Sequence, residues 1–150
     1  MALKIPPLLL VLLFALAGWL LTWFGLGWHW DMPLRLGWLI GWGLGGLLFA
    51  FAGVLSFRRG NTTVDPTRPD KASKLINGGI YQRTRNPMYV GFASALVGWG
   101  GYLTDPLALL LVPVFIWYLT EFQIKPEEQA LTELFGEEYQ DYCHQVRRWL

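Results

Sequence analysis

The chain has 150 residues, 53% of them hydrophobic, with a mean hydropathy of +0.33 and a formal net charge of +1. That length fits one domain, and the near-neutral charge gives no reason to expect a nucleic-acid partner. One cysteine, Cys143, excludes an intramolecular disulfide and a cysteine-rich metal site, and His29 and His144 lie too far apart to suggest a metal centre.

Nine Trp and 17 Gly suit a membrane protein, in which Trp anchors interfaces and Gly lets helices approach. Residues 5–26 are apolar and uncharged, about 22 residues, enough for a hydrocarbon core of roughly 30 Å. A signal peptide is the rival reading. It is the weaker one, because Lys4 makes a poor basic leader and Gly25-Leu26-Gly27-Trp28 is no cleavage site. Trp28-His29-Trp30-Asp31-Met32-Pro33 reads as a short interfacial turn, with His29 a polar turn residue rather than a catalytic one.

Residues 36–57 form a second expected span. Gly37, Gly41 and Gly45 recur at every fourth position on one face, a small-residue stripe that admits a close helix neighbour. Packing inside the protein is the reading adopted for it, and a homodimer contact stays open. Residues 58–84 follow, basic and rich in Pro, Gly and Thr. From Arg58 to Arg85 the chain carries seven of its twelve basic residues, which places this loop in the cytoplasm by the positive-inside rule. With two spans before it, the N-terminus is expected there too.

Residues 88–103 and 107–122 are two further apolar runs of about 16 residues each, roughly 24 Å as helices, separated by Thr104-Asp105-Pro106. Pro113 is expected to interrupt the second. Together they predict a short helical hairpin that lines a cavity and returns the chain to the cytoplasm. Residues 123–150 predict a cytoplasmic amphipathic tail. Leu131, Leu134 and Phe135 form one helical face, Gly136 a break, and Tyr139, Tyr142 and Val146 a second face. Glu127 and Glu128 follow Pro126, where a helix dipole favours carboxylates. The expected fold is therefore an all-α integral membrane protein. It is one membrane domain with four spans, the last two a short hairpin, a cytoplasmic cofactor loop at 58–87 and a helical tail.

The basic loop, the segment from Arg85 to Gly91 and the Glu127-Glu128 pair should converge on one cytoplasmic face. They bring cations, carboxylates, amide and tyrosine groups together. No serine–histidine pair, metal-ligand cluster, GxxxxGK loop or GxGxxG turn accompanies them. A mixed polar and aromatic pocket suits a zwitterion with a flat ring. S-adenosylmethionine is one, and aromatic faces favour its sulfonium.

Thr62-Thr63-Val64, Pro66, Leu75, Gly79-Ile80-Tyr81 and Arg85-Asn86-Pro87-Met88-Tyr89-Val90-Gly91 make the first half of a pattern. Glu127-Glu128, Leu131, Phe135-Gly136, Glu138-Tyr139, Tyr142 and Val146-Arg147 make the second. The pattern resembles the isoprenylcysteine carboxyl methyltransferase and phospholipid methyltransferase superfamily over about the last 90 residues. The resemblance implies an integral membrane methyltransferase that uses S-adenosyl-L-methionine and releases S-adenosyl-L-homocysteine. It implies cofactor contacts from Ser73, Lys74, Leu75 and Ile76, from Tyr81, from Asn86, Pro87, Met88 and Tyr89, and from Glu127. Arg85, Glu128 and Arg147 would support the site.

Two positions depart from the pattern. The eukaryotic branch has histidine where Asn86 stands, and an amide cannot titrate, so no general base is assigned. That branch also has a substrate-linked arginine where Gln123 stands. Gln123 remains a candidate substrate contact, without the bidentate grip on a carboxylate. The acceptor implied is a lipid or lipophilic small molecule, reached from the bilayer of what is expected to be a bacterial inner membrane. A membrane NAD(P)H-dependent reductase of related fold, and a scaffold dimerising through Gly37, Gly41 and Gly45, are the competing readings.

Overall fold

A computed structural model describes residues 5–59 and 75–150, and among these all regular structure is helical. Helix α1 spans Pro7–Leu21 and tightens into a 3₁₀ turn, Thr22–Phe24, that ends at Gly25 with φ +69°. Pro6 and Pro7 suit its start, where a missing N–H costs no helical bond. Helix α2 spans Met32–Arg59. It begins four residues before the expected span, because Pro33 falls in the first turn and initiates the helix rather than extending the interfacial loop. A 3₁₀ turn, Gly79–Gln82, leads to helix α3, Pro87–Leu103. Helix α4, Pro106–Leu119, follows after a tight reversal at Thr104 and Asp105.

The reversal is built from local chemistry. Thr104 adopts a left-handed φ of 54°, and the Asp105 side chain caps α4 by accepting from the Leu107 amide at 2.8 Å. The Trp28 amide donates to the Thr104 carbonyl at 2.9 Å, which ties the loop after α1 to the same end. Pro113 does not interrupt α4. Its ring sits on the exposed face, and the rest of the helix keeps its bonds, as proline within membrane helices allows.

The largest departure from the expected tail lies after α4. The helix does not stop near residue 122. It passes through a π turn, Thr120–Ile124, directly into helix α5, Lys125–Phe135. Hairpin and tail are one helical rod. Glu127 and Glu128 therefore do not sit at a free helix N-terminus, and the dipole argument for them fails: the Lys125 amide already donates to the Thr120 carbonyl. Gly136 does break the run, at φ +55°, before helix α6, Glu137–Gln145.

Among the described residues, three helical stretches are long and apolar enough to cross a membrane: Pro7–Phe24, Met32–Ser56 and Pro106–Phe135. Helix α3 has 17 residues, about 26 Å, which is short of a typical hydrocarbon core. It is the most buried of the four, packed against α2 on one side and α1 and α4 on the other.

The α2–α3 seam is glycine-lined. A Cβ on Gly46 would stand 2.6 Å from the Gly91 carbonyl oxygen, and one on Gly91 would stand 2.5 Å from that of Gly46. Farther along, Gly53 receives Pro87 and Met88, Gly98 receives Trp42, and Gly101 lies under the Trp38 indole. The Trp38 Nε1 donates to the Val97 carbonyl at 3.0 Å. The expected stripe is displaced from this seam: Gly37, Gly41 and Gly45 have nothing within 4 Å of an added Cβ. The helix turns a neighbouring face, Gly46 and Gly53, towards α3.

The other side of α3 meets α1 and α4 through Leu10, Tyr89, Ala93, Leu96, Val112, Phe115, Leu119 and Ile124. A second, smaller cluster joins the chain before α3 to the last helices. Leu75, Tyr81, Tyr139 and Tyr142 are buried there, with Leu131, Phe135 and Val146 against them. Leu134 is not part of it and is exposed, one position off the buried face. Val146 reaches the cluster from extended backbone beyond α6, not from the helix itself.

Candidate functional site

At the end of the bundle where α3 begins, the π turn brings three polar side chains together between buried walls. Tyr89 is in the first turn of α3 and only 3% exposed, and Gln123 in the π turn is 4% exposed. The Tyr89 hydroxyl donates to Glu127 Oε1 at 2.6 Å, and Gln123 Nε2 donates to the same oxygen at 2.6 Å. A carboxylate among apolar residues needs such donors, because its desolvation is otherwise unmet. Both bonds fall on Oε1. Among the described residues none bonds to Oε2, which could accept from a ligand's ammonium or hydroxyl group.

Tyr81, in the 3₁₀ turn, is 6% exposed and near enough to sense the Glu127 carboxylate. Burial, then Tyr142, then the Glu127 carboxylate push its hydroxyl well above the usual phenol range, so it remains neutral and able to donate. The Tyr142 hydroxyl donates to the Tyr81 carbonyl at 2.7 Å and locks the turn to α6. Burial also raises Tyr142, against the opposing pull of Arg85.

The adjacent Glu128 faces a different set of partners. Arg85 Nη2 lies 3.0 Å from its Oε1, and Arg148 holds both carboxylate oxygens, Nε to Oε1 at 2.9 Å and Nη2 to Oε2 at 2.6 Å. This is the two-pronged geometry that favours arginine over lysine. The bond to Glu128 raises the Arg148 pKa further.

The extended segment after α6 lies along the start of α3. The Arg85 amide donates to the Arg147 carbonyl at 2.9 Å. The Arg148 carbonyl accepts from Asn86 Nδ2 at 2.9 Å and from Thr84 Oγ1 at 3.2 Å. Thr84, fully buried, also accepts from the Asn86 amide at 3.1 Å. Trp149 Nε1 donates to Thr120 Oγ1, in the π turn, at 3.2 Å.

Of the residues expected at the site, Tyr81, Tyr89, Gln123 and Glu127 come together around one carboxylate. Arg85 and Glu128 form an ion pair beside it. Asn86 gives its side-chain amide to the Arg148 carbonyl, and Arg147 enters through its own carbonyl. Pro87 and Met88 pack on Gly53 of α2. Leu75 is buried in the second cluster with Ile76 against it, so the backbone there is what a ligand could read. Ser73 and Lys74 lie outside the described residues. Sequence reasoning missed Thr84, Thr120, Arg148 and Trp149. Only Arg148 carried a signal, as the second of two adjacent arginines.

The donor set fits S-adenosylmethionine. Glu127 Oε2 suits its ammonium or ribose hydroxyls, and the buried rings of Tyr81 and Tyr89 offer faces for its adenine or sulfonium. Among the described residues, no group of three or more His, Cys, Asp or Glu side chains could hold a metal ion.

Comparison with known proteins agrees with this reading of the pattern. The phospholipid methyltransferase family profile matches residues 40–138. Protein-S-isoprenylcysteine O-methyltransferase B of Arabidopsis thaliana is 30% identical over 93 residues, which cover 62% of this chain and 47% of that protein. The protein-S-isoprenylcysteine O-methyltransferase of Saccharomyces cerevisiae is 31% identical over 80 residues, 53% of this chain and 34% of that protein. An uncharacterized protein of Haemophilus influenzae is 43% identical over 63 residues, 42% of this chain and all of that protein. The chain thus spans about half the length of its Arabidopsis relative. No solved structure matches.

Proposed function

The chain belongs to the phospholipid methyltransferase family, and on that premise we propose that it methylates a lipophilic, membrane-embedded acceptor with S-adenosylmethionine as donor. One observation carries the reading: Tyr89 and Glu127, from the two separate halves of the sequence pattern, meet at a single half-buried carboxylate that Gln123 also holds. The names of the relatives favour methyl transfer over the reductase alternative.

In this reading Glu127 binds and orients the donor through Oε2, while Tyr89 and Gln123 hold the carboxylate in place. Tyr81 stands beside the site with its hydroxyl neutral. Asn86, Pro87 and Met88 form the wall between α3 and α2. Leu75 and Ile76 offer backbone to the same ligand. When bound, the cofactor supplies an electrophilic methyl carbon on a sulfonium. The protein's part is alignment and exclusion of water, and no residue is assigned as a base. Gln123 is committed to Glu127 and brings no positive charge, so an acceptor carboxylate would not be gripped by residue 123 as a cation would grip it.

We further infer that α1 to α4 are four spans, with the 58–87 loop, the tail and both ends of the chain on the cytoplasmic side. The basic residues of the loop support this orientation. A bacterial inner membrane is the proposed setting. The donor would then arrive from the cytoplasm and the acceptor from the bilayer beside the short α3.

Calorimetric titration of detergent-purified protein with S-adenosylhomocysteine tests the reading. Saturable binding that is lost in Glu127→Ala and Tyr89→Ala is expected. Well-folded protein that shows no binding at millimolar ligand would overturn it.

A further inference from the structure

The segment Val146–Leu150 touches every element that builds the site. Its backbone carbonyls hold Thr84, Arg85 and Asn86, the three residues before α3. The Arg148 guanidinium holds Glu128 in α5. The Trp149 indole holds Thr120 at the start of the π turn. The site itself spans the same elements, because Tyr89 belongs to the first turn of α3, Gln123 to the π turn and Glu127 to α5. Thr120 and Glu128 bracket Gln123 and Glu127 in sequence, so this short stretch is fastened at both sides. A π turn puts one extra residue in a helical turn and its geometry is the less stable one. External bonds at its two sides oppose its relaxation to a plain α-helix, which would rotate α5 relative to α4.

We propose that Arg148 is a positioning residue. By gripping Glu128 from a strap that is also bonded to the start of α3, it sets α5 against α3 and so holds Glu127 in register with Tyr89. It does this without touching the site, since its guanidinium faces Glu128 and not Glu127. Arg85 reaches the same carboxylate through one contact and, among the described residues, its Nε is buried without a partner, so it does not replace the two-pronged hold of Arg148. The role of the register in donor binding rests on the methyltransferase reading; the register itself does not.

Hydrogen exchange and S-adenosylhomocysteine titration of the full chain in detergent test this together. In Arg148→Ala, amides of residues 85–90 and 120–131 should exchange about tenfold faster, with α1 and α2 unchanged. Affinity for S-adenosylhomocysteine should fall about tenfold, because a small misplacement of a binding group is costly. Arg148→Lys keeps the charge and loses the fork, and should fall between wild type and alanine. Lys125→Gln, which breaks only an exposed pair with Glu121, serves as the control and should match wild type. Wild-type exchange at both segments in Arg148→Ala overturns the proposal. If the alanine variant loosens globally, Arg148→Lys decides: faster exchange confined to the two segments supports the proposal, and wild-type exchange overturns it. A wild type that binds no S-adenosylhomocysteine overturns the methyltransferase reading alone, since the exchange data still decide the positioning role.

Discussion

The α2–α3 seam and the polar end of the bundle hold the same helix, α3, by opposite means. At the seam, backbones meet at Gly46 and Gly91, side chains enter over Gly53 and Gly98, and shape does most of the holding beside the Trp38 bond to the Val97 carbonyl. At the polar end, Tyr89, Glu127, Glu128, Arg85, Arg148 and Tyr142 hold through charge and directed hydrogen bonds. The seam tolerates no added atom, yet it has no chemistry to offer a ligand. The polar end spreads its hold over several bonds, and it carries the carboxylate oxygen that a ligand could use. Substitutions in the two regions should therefore fail in different ways.

The largest effect is expected from Gly91→Leu. Its Cβ alone would collide with the Gly46 carbonyl, and Ala50 leaves no room for a shift. Overpacking of this kind costs about 3 kcal/mol or more. Thermal unfolding in detergent should show little folded protein, and a wild-type melting curve would mean that the seam is not a close contact.

Glu127→Ala should leave the fold intact and weaken S-adenosylhomocysteine binding about 100-fold, the scale of a lost charge-assisted contact. Equal loss of melting temperature and of binding would instead make Glu127 a structural residue and blur the contrast between the regions.

Tyr142→Phe removes one hydroxyl and leaves the buried Tyr81 carbonyl without that donor. A cost of about 1–3 kcal/mol is expected from chemical denaturation, with ligand affinity reduced only modestly. Unchanged stability would show that the turn carrying Tyr81 is held by packing alone.

The smallest effect is expected from Gly41→Leu, because nothing stands within 4 Å of an added Cβ there. Stability should stay within about 0.5 kcal/mol of wild type. Sedimentation sharpens the point: loss of a dimer in this variant would assign the Gly37, Gly41 and Gly45 face to a second copy.

Much of the fold was legible in the sequence because apolar runs of membrane length have few alternatives. The positions of α1, α2 and α3, the Thr104-Asp105 reversal and the Gly136 break all follow from hydropathy and turn chemistry. The end of α4 was not legible. Gln123 and the glutamates read as part of a separate tail, whereas in the rod Gln123 and Glu127 meet Tyr89 and Glu128 meets two arginines. The seam was misread for a similar reason: spacing marks two glycine faces on α2, Gly37/Gly41/Gly45 and Gly46/Gly53, and only the docking of α3 selects one.

By itself, the sequence determined that the chain is helical and membrane-bound, and that two polar motifs flank a short hairpin. Those features rest on local quantities, namely hydropathy, helix-breaking residues and motif spacing. The tertiary structure decided which neighbouring glutamate does what. Glu127 meets Tyr89 and Gln123, while Glu128 meets Arg85 and Arg148. Side chains adjacent in a helix point about 100° apart, so partners distant in sequence, brought in by α3 and by the strap after α6, give the two identical residues different roles.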